Sequence, residues 1–148
     1  MENPPATDTG GFKTVLATSF NGSGNTAGEC NGYCIALPDS TAVGKPVIVC
    51  TVDGTTCINT TVGDLGPWCT GDSSYVNGIE KPLAEKYKSQ PFTALTSQEQ
   101  TYCGTGLNWE TKSLKSNGAG IDLTPQLIVG LKLASDLKTA ENWSGTVK

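Results

Sequence analysis

The chain has no histidine and no arginine, a single methionine and only 7% aromatic residues. Each shortage excludes something. Without histidine or arginine to activate a thiolate, the cysteines are poor nucleophile candidates. Cys30 and Cys34 have the spacing of metal ligands, but there is no histidine and no second close cysteine pair to complete a zinc site. All ten basic residues are lysines, they form no cluster, and 14 acidic residues bring the net charge to −4. Such a chain lacks the basic face that nucleic acid requires and is poorly suited to anionic membranes. Neutral or amphoteric partners such as glycans stay open. No stretch approaches the roughly 18 apolar residues of a membrane span. Residues 1–11 are polar and proline-rich instead of carrying an apolar leader. The expectation is a leader already removed, or release by a route such as cell lysis in a phage particle.

Hydrophobic residues make up 36% of the 148, beside 18 glycines and 8 prolines. That length suits one domain, and that composition suits short strands and many turns better than a helical bundle. The modest core makes cross-links useful. Six cysteines, at positions 30, 34, 50, 57, 69 and 103, read as a disulfide set from an oxidising compartment. One pairing follows from local geometry. Asp53-Gly54 is a strong hairpin signal, and a two-residue turn there sets Cys50 opposite Cys57 at a separation that a disulfide accepts. Cys30–Cys34 and Cys69–Cys103 follow by elimination.

Along the chain, residues 1–11 read as a flexible arm and residues 12–148 as one domain. Strands are expected at 13–20, 34–37, 46–52, 57–62 and 143–147, where β-branched residues concentrate. Residues 70–120 form a long insertion, with short helices expected after Pro82 and over 97–102. A stretch this long without strong periodicity is usually functional or poorly ordered. The clearest helix begins at Thr124, a good N-cap, with Pro125 at the first helical position and Leu127, Ile128, Leu131 and Ala134 at helical spacing. No internal sequence repeat is visible. About six strands, one good helix and a long loop suggest a small β-barrel with a helix packed on it.

Two blocks carry the chemistry: Val62-Gly63-Asp64-Leu65-Gly66-Pro67-Trp68 and Asn117-Gly118-Ala119-Gly120-Ile121-Asp122-Leu123-Thr124-Pro125. Each sets one aspartate at the end of an apolar run, among glycines that permit unusual backbone and before a proline that fixes it. In this order, and with the opening stretch Ala17-Thr18-Ser19-Phe20-Asn21-Gly22, they resemble the double-psi β-barrel superfamily. Its relevant members are the rare lipoprotein A family, barwin-like and expansin amino-terminal domains, and family 45 glycoside hydrolases. Asp64-Leu65-Gly66-Pro67 matches an Asp-Arg-Gly-Pro block, and Ile121-Asp122-Leu123-Thr124 an (Ile/Val)-Asp-Leu-Ser block, with Thr124 for serine.

The resemblance implies a mainly β fold, a six-stranded double-psi β-barrel with one or two short helices. It also implies an acid, Asp122, which resembles in position the aspartate of a His-Phe-Asp block. Flanking Ile121 and Leu123 would raise its pKa by desolvation. Glycosidic cleavage needs such an acid, and hydrolysis usually needs a second carboxylate, for which Asp64 is the candidate. Where family 45 enzymes place their base, this chain has Ser19-Phe20-Asn21-Gly22. Asn21 therefore joins the substrate-binding set with Trp68, Tyr75 and Trp109, whose rings offer faces for sugars, and with Asp72.

The function so implied is cleavage of a cell-wall glycan, peptidoglycan first, by a lytic transglycosylase or glycosidase with a single aspartate acid. No cofactor or metal is expected. The location is secreted, periplasmic or virion-associated. The alternatives are a non-catalytic, expansin-like wall-binding module, which the missing base and missing histidine favour, and a structural part of an extracellular or virion assembly.

Overall fold

A computed structural model describes residues 12–20, 33–66, 68–103 and 115–148. Its centre is one six-stranded sheet built from β1 (Val15–Ser19), β2 (Ile35–Leu37), β3 (Pro46–Cys50), β4 (Cys57–Leu65), β5 (Ile121–Leu123) and β6 (Ser144–Val147). The spatial order is β3-β4-β2-β5-β1-β6. The fold is thus mainly β. Five of the strands sit where β-branched sequence predicts them; β4 runs three residues further than expected and takes in Asp64.

The pairings have an internal symmetry that the sequence does not. β1 runs parallel to β5 and antiparallel to β6. β4 runs parallel to β2 and antiparallel to β3. The two halves meet in the antiparallel β2–β5 pair. Replacing each strand of the first half by the one three places later reproduces every pairing. The sheet curls so that its two edges touch: Cys50 N–H donates to Lys148 C=O (2.6 Å) and Lys148 N–H to Cys50 C=O (3.0 Å).

That outward bonding of Cys50 explains why a disulfide fits beside it. Cys50 pairs with Cys57 across β3–β4 without exchanging backbone bonds with it, the closer kind of antiparallel pair, and the two are bridged. The connecting turn differs from the expected two-residue form. Gly54 N–H bonds Thr51 C=O (2.8 Å) and Thr51 N–H bonds Thr56 C=O (2.9 Å), so the loop holds residues 52–55. Asp53 ties it together by accepting from the Thr51 hydroxyl (2.7 Å) and the Thr55 amide (3.0 Å), while Gly54 takes a left-handed φ of 76°. The register survives because both loops are centred on the same peptide bond. Cys69–Cys103 is also formed, as expected. Cys34 is disulfide-bonded; its expected partner Cys30 lies outside the described residues, as does the 1–11 arm.

The inner face of the sheet, with Ala17, Ile35, Val62, Leu123 and Val147, makes one apolar cluster with α4 (Pro125–Gly130) and α5 (Leu137–Ala140). α4 starts at Thr124 as expected, but the buried Thr124 side chain does not cap it. Its hydroxyl accepts from Cys34 N–H at 3.4 Å instead. The helix is also shorter than the apolar spacing suggests. Leu133 N–H bonds Ile128 C=O (3.1 Å), Lys132 N–H bonds Val129 C=O (2.9 Å), and Lys132 turns left-handed at φ 64°. This paired closure ends the helix before Ala134 can join it.

Within the insertion, residues 70–103 hold more regular structure than their composition suggests. α2 (Leu83–Lys86), a 3-10 turn at Phe92–Ala94 and α3 (Ser97–Cys103) enclose a second cluster of Trp68, Leu83, Phe92, Leu95 and the Cys69–Cys103 bridge, whereas α1 (Ser73–Val76) sends Tyr75 and Val76 into the main cluster. α3 opens on a capping box: Glu99 N–H donates to the Thr96 hydroxyl (3.1 Å), and Thr96 N–H to the Glu99 carboxylate (2.9 Å). Burial would push the Glu99 carboxyl up, but bonds from Lys86, Tyr87 and Thr96 together hold it down at about 2. Among the described residues no helix is long and apolar enough to cross a membrane.

Candidate functional site

Asp122 is the middle residue of β5. Ile121 and Leu123 turn inward and are buried, so strand alternation turns Asp122 to the outer face. On one side it pairs with Thr18 of β1, and on the other with Ala36 of β2. Ala36 in turn pairs with Asp64 of β4. Residues opposite one another in a ladder point the same way. Thr18, Asp122, Ala36 and Asp64 therefore form one rung across four strands, with the methyl group of Ala36 between the two aspartates. Their backbones are two strand spacings apart, roughly 9–10 Å.

A register shift makes this possible. Ile35 pairs with Val62, yet Ala36 pairs with Asp64. Gly63 is the extra residue of a β-bulge, a device that re-aims side chains. In an unbroken strand Asp64 would share the inward face of Val62. The bulge turns it out, level with Asp122, where Leu65 N–H donates to its carboxylate at 2.8 Å.

The Thr18 hydroxyl donates to Asp122 Oδ1. Burial pushes the Asp122 carboxyl up to about 6; the Thr18 hydrogen bond opposes this and the nearby Asp64 charge adds to it. A group so poised holds a proton in mildly acidic solution and can give it up, as a general acid must. Beyond Thr18 the β1–β5 ladder continues, with Phe20 N–H bonded to Leu123 C=O at 3.0 Å. Phe20 also lines a cavity of about 530 Å³, with Ser19 and with Pro125, Gln126, Leu137 and Glu141 from the helical side of the sheet; no residue of the rung lines it.

Of the residues singled out from sequence, Asp64 and Asp122 are thus brought together, and three others are placed elsewhere. Trp68 is only 7% exposed and packs edge-on to Phe92 at 6.4 Å in the second cluster. Tyr75 is buried, with the Lys13 ammonium 5.1 Å from its ring centroid. Neither ring presents a free face for a sugar; both serve as core. Asp72 is 1% exposed, and its carboxylate accepts from Leu83 N–H at 2.8 Å, tying α1 to the start of α2. Desolvation raises its pKa. Asn21 and Trp109 lie outside the described residues. Thr18, Ala36 and Phe20 were not singled out as site residues, and only the register across β1, β2 and β5 reveals them. Among the described residues no three histidine, cysteine, aspartate or glutamate side chains gather as a metal site would require.

No protein-family model, curated protein or solved structure matches the chain.

Proposed function

We propose that this chain is a double-psi β-barrel domain that cleaves a cell-wall glycan, peptidoglycan in the first place, with Asp122 as the proton donor. The rung carries this reading: Asp122 and Asp64 share one outer face, separated by a single alanine, with a hydroxyl on the acid. The barrel assignment draws support from the two parallel pairs β1–β5 and β2–β4, their interchange under a three-strand shift, and the Cys50–Lys148 contact between the sheet edges.

In the reaction, the protonated Asp122 gives its proton to the glycosidic oxygen as the bond from the anomeric carbon to that oxygen breaks. The electron pair leaves with the oxygen, and Asp122 becomes a carboxylate that the Thr18 hydroxyl already solvates. The cationic sugar is completed in one of two ways. In the lytic route its own hydroxyl closes an anhydro ring and gives its proton to the Asp122 carboxylate, which restores the acid. In the hydrolytic route a water adds, activated by Asp64 from across Ala36; a backbone spacing of roughly 9–10 Å suits an inverting pair, whose carboxyl groups stand about 6.5–9.5 Å apart.

Digestion of purified sacculi, intact and stripped of stem peptides, with mass spectrometry of the released material, tests the reading. Anhydro-sugar products that vanish in Asp122→Asn support the lytic route. Reducing-end products lost in both Asp122→Asn and Asp64→Asn support hydrolysis. Co-sedimentation without any product would retire Asp122 as an acid and replace this reading with a binding module.

A further inference from the structure

The segment leading into β5 is built on the lobe that follows β4. Ser116 is 3% exposed, and its hydroxyl donates to Ala84 C=O in α2. Its amide bonds Gln90 C=O at 2.9 Å, and its carbonyl accepts from Ser89 N–H at 2.7 Å. Lys115 and Ser116 form isolated bridges with Pro91 and Lys88. The chain then passes Gly118, left-handed at φ 87°, and reaches Gly120, whose amide bonds Leu16 C=O of β1 at 2.9 Å. A Cβ on Gly120 would lie 2.5 Å from Pro82 Cγ and 3.1 Å from the Tyr75 hydroxyl. Only glycine lets the lobe and β5 approach this closely. Two residues further stands Asp122.

We infer that the lobe of residues 68–103 is a positioning element for Asp122, and that the seat of Gly120 against Pro82 and Tyr75 is the point through which it acts. The strand that carries Asp122 is short, three residues, and its lead-in is strapped to the lobe at Ser116 and reaches the sheet only at Gly120, through the bond to Leu16 C=O. Where β5 sits between β1 and β2 thus depends on how closely Gly120 docks. Anything that moves the lobe moves the acid relative to Thr18 and Asp64. Gly120, Pro82 and Tyr75 touch no substrate; their effect is exerted through the backbone of β5. The lobe is closed by Cys69–Cys103, so reduction of that bridge would reach the site by the same path.

The functional meaning of this inference rests on the proposed role of Asp122, but its test needs no glycan. The readout is the titration midpoint of the Asp122 carboxyl, followed by carbon-detected NMR in the folded protein. The charged neighbour of that carboxyl is Asp64 on β4, and its hydrogen-bond partner is Thr18 on β1. Gly120→Ala, which pushes β5 off the lobe and admits water, is expected to lower the midpoint by about 0.5 unit or more. Pro82→Ala removes the Cγ atom that the new methyl meets, so Pro82→Ala/Gly120→Ala should return the midpoint most of the way, a coupling that a double-mutant cycle reads directly. Gly130→Ala, which at the end of α4 meets Ile58 Cδ1 of β4 at 2.8 Å, is the control for a clash outside this path and should leave the midpoint in place. If Gly120→Ala fails to fold, Pro82→Gly in the native background gives the same readout by emptying the seat. A midpoint that stays put in Gly120→Ala or Pro82→Gly, or one that Pro82→Ala does not restore, would overturn the inference. Failure to cleave sacculi would leave these outcomes untouched.

Discussion

Asp122 shows at the scale of one residue how a site can work against the fold that carries it. A half-buried carboxyl with its pKa raised to about 6 binds its proton more tightly in the folded chain than in the unfolded one. The proton's contribution is complete below the unfolded value of about 3.9 and is lost as the pH rises through about 6. Above that window the folded protein carries a desolvated charge. Asp122→Asn keeps the shape and removes the charge. Its stability in urea is therefore expected to match the native protein at pH 4 and to exceed it at pH 7.5, by about 1–2 kcal/mol after allowance for partial solvent access. An equal effect at both pH values would show that the carboxyl is not strained by burial. Asp122 was legible in the sequence, because apolar neighbours on both sides and Thr124-Pro125 after it mark a carboxylate on rigid backbone. Thr18 was not, since the bond joins residues 104 positions apart and no local pattern announces it. Trp68, Tyr75 and Asp72 stood out for their chemistry, yet an aromatic ring or a carboxylate serves a core as readily as a surface, and here burial puts them inside.

At the scale of the element, local rules set where segments start and stop, and tertiary contacts set how far they run. The cap of α3 lies wholly within Thr96-Ser97-Gln98-Glu99, a spacing that sequence alone contains. Thr96→Ala should cost about 1 kcal/mol, and Thr96→Ser, which retains the oxygen, should cost little. Trp68 fluorescence during urea unfolding would report it, because that ring packs in the cluster on which α3 closes; equal losses for both variants would assign the effect to packing of the threonine methyl. α4 shows the opposite case. Its apolar spacing continues through Ala134, but the helix closes at Lys132, whose left-handed backbone carries no glycine to signal it. The bulge in β4 lies between these cases. Gly63 inside a strand pattern hints at a bulge. That it turns Asp64 from the core to the rung follows only from the pairing with Ala36.

At the scale of the whole molecule the described residues make two apolar bodies, the curled sheet with α4, α5 and the Tyr75 and Val76 side chains of α1, and the lobe around α2 and α3. The three-strand interchange that organises the sheet leaves no trace as a sequence repeat, because each half needs only alternating apolar residues of the right length. Composition gave the mainly β class and the need for cross-links; the second core was hidden, since the lobe has no helix long enough to show a period. None of α1, α2 or α3 exceeds seven residues, and isolated helices of that length are unstable in water. α1 is held by Tyr75 and Val76 in the main core, while what holds α2 and α3 is the small cluster around Cys69–Cys103. That bridge spans 34 positions, and a loop of this size is worth about 4 kcal/mol in chain entropy. Cys69→Ala/Cys103→Ala should therefore act on one body. Amide exchange is expected to quicken across residues 70–103 and 115–120, while β1, β4 and β6 keep their protection, since their hydrogen bonds and the Cys50–Cys57 bridge lie outside the lobe. Uniform acceleration through the sheet would mean that the molecule unfolds as one unit. If the lobe opens alone, the same variant should also lower the Asp122 midpoint, because the lead-in to β5 loses its seat while the rung partners Thr18 and Asp64 stay in place.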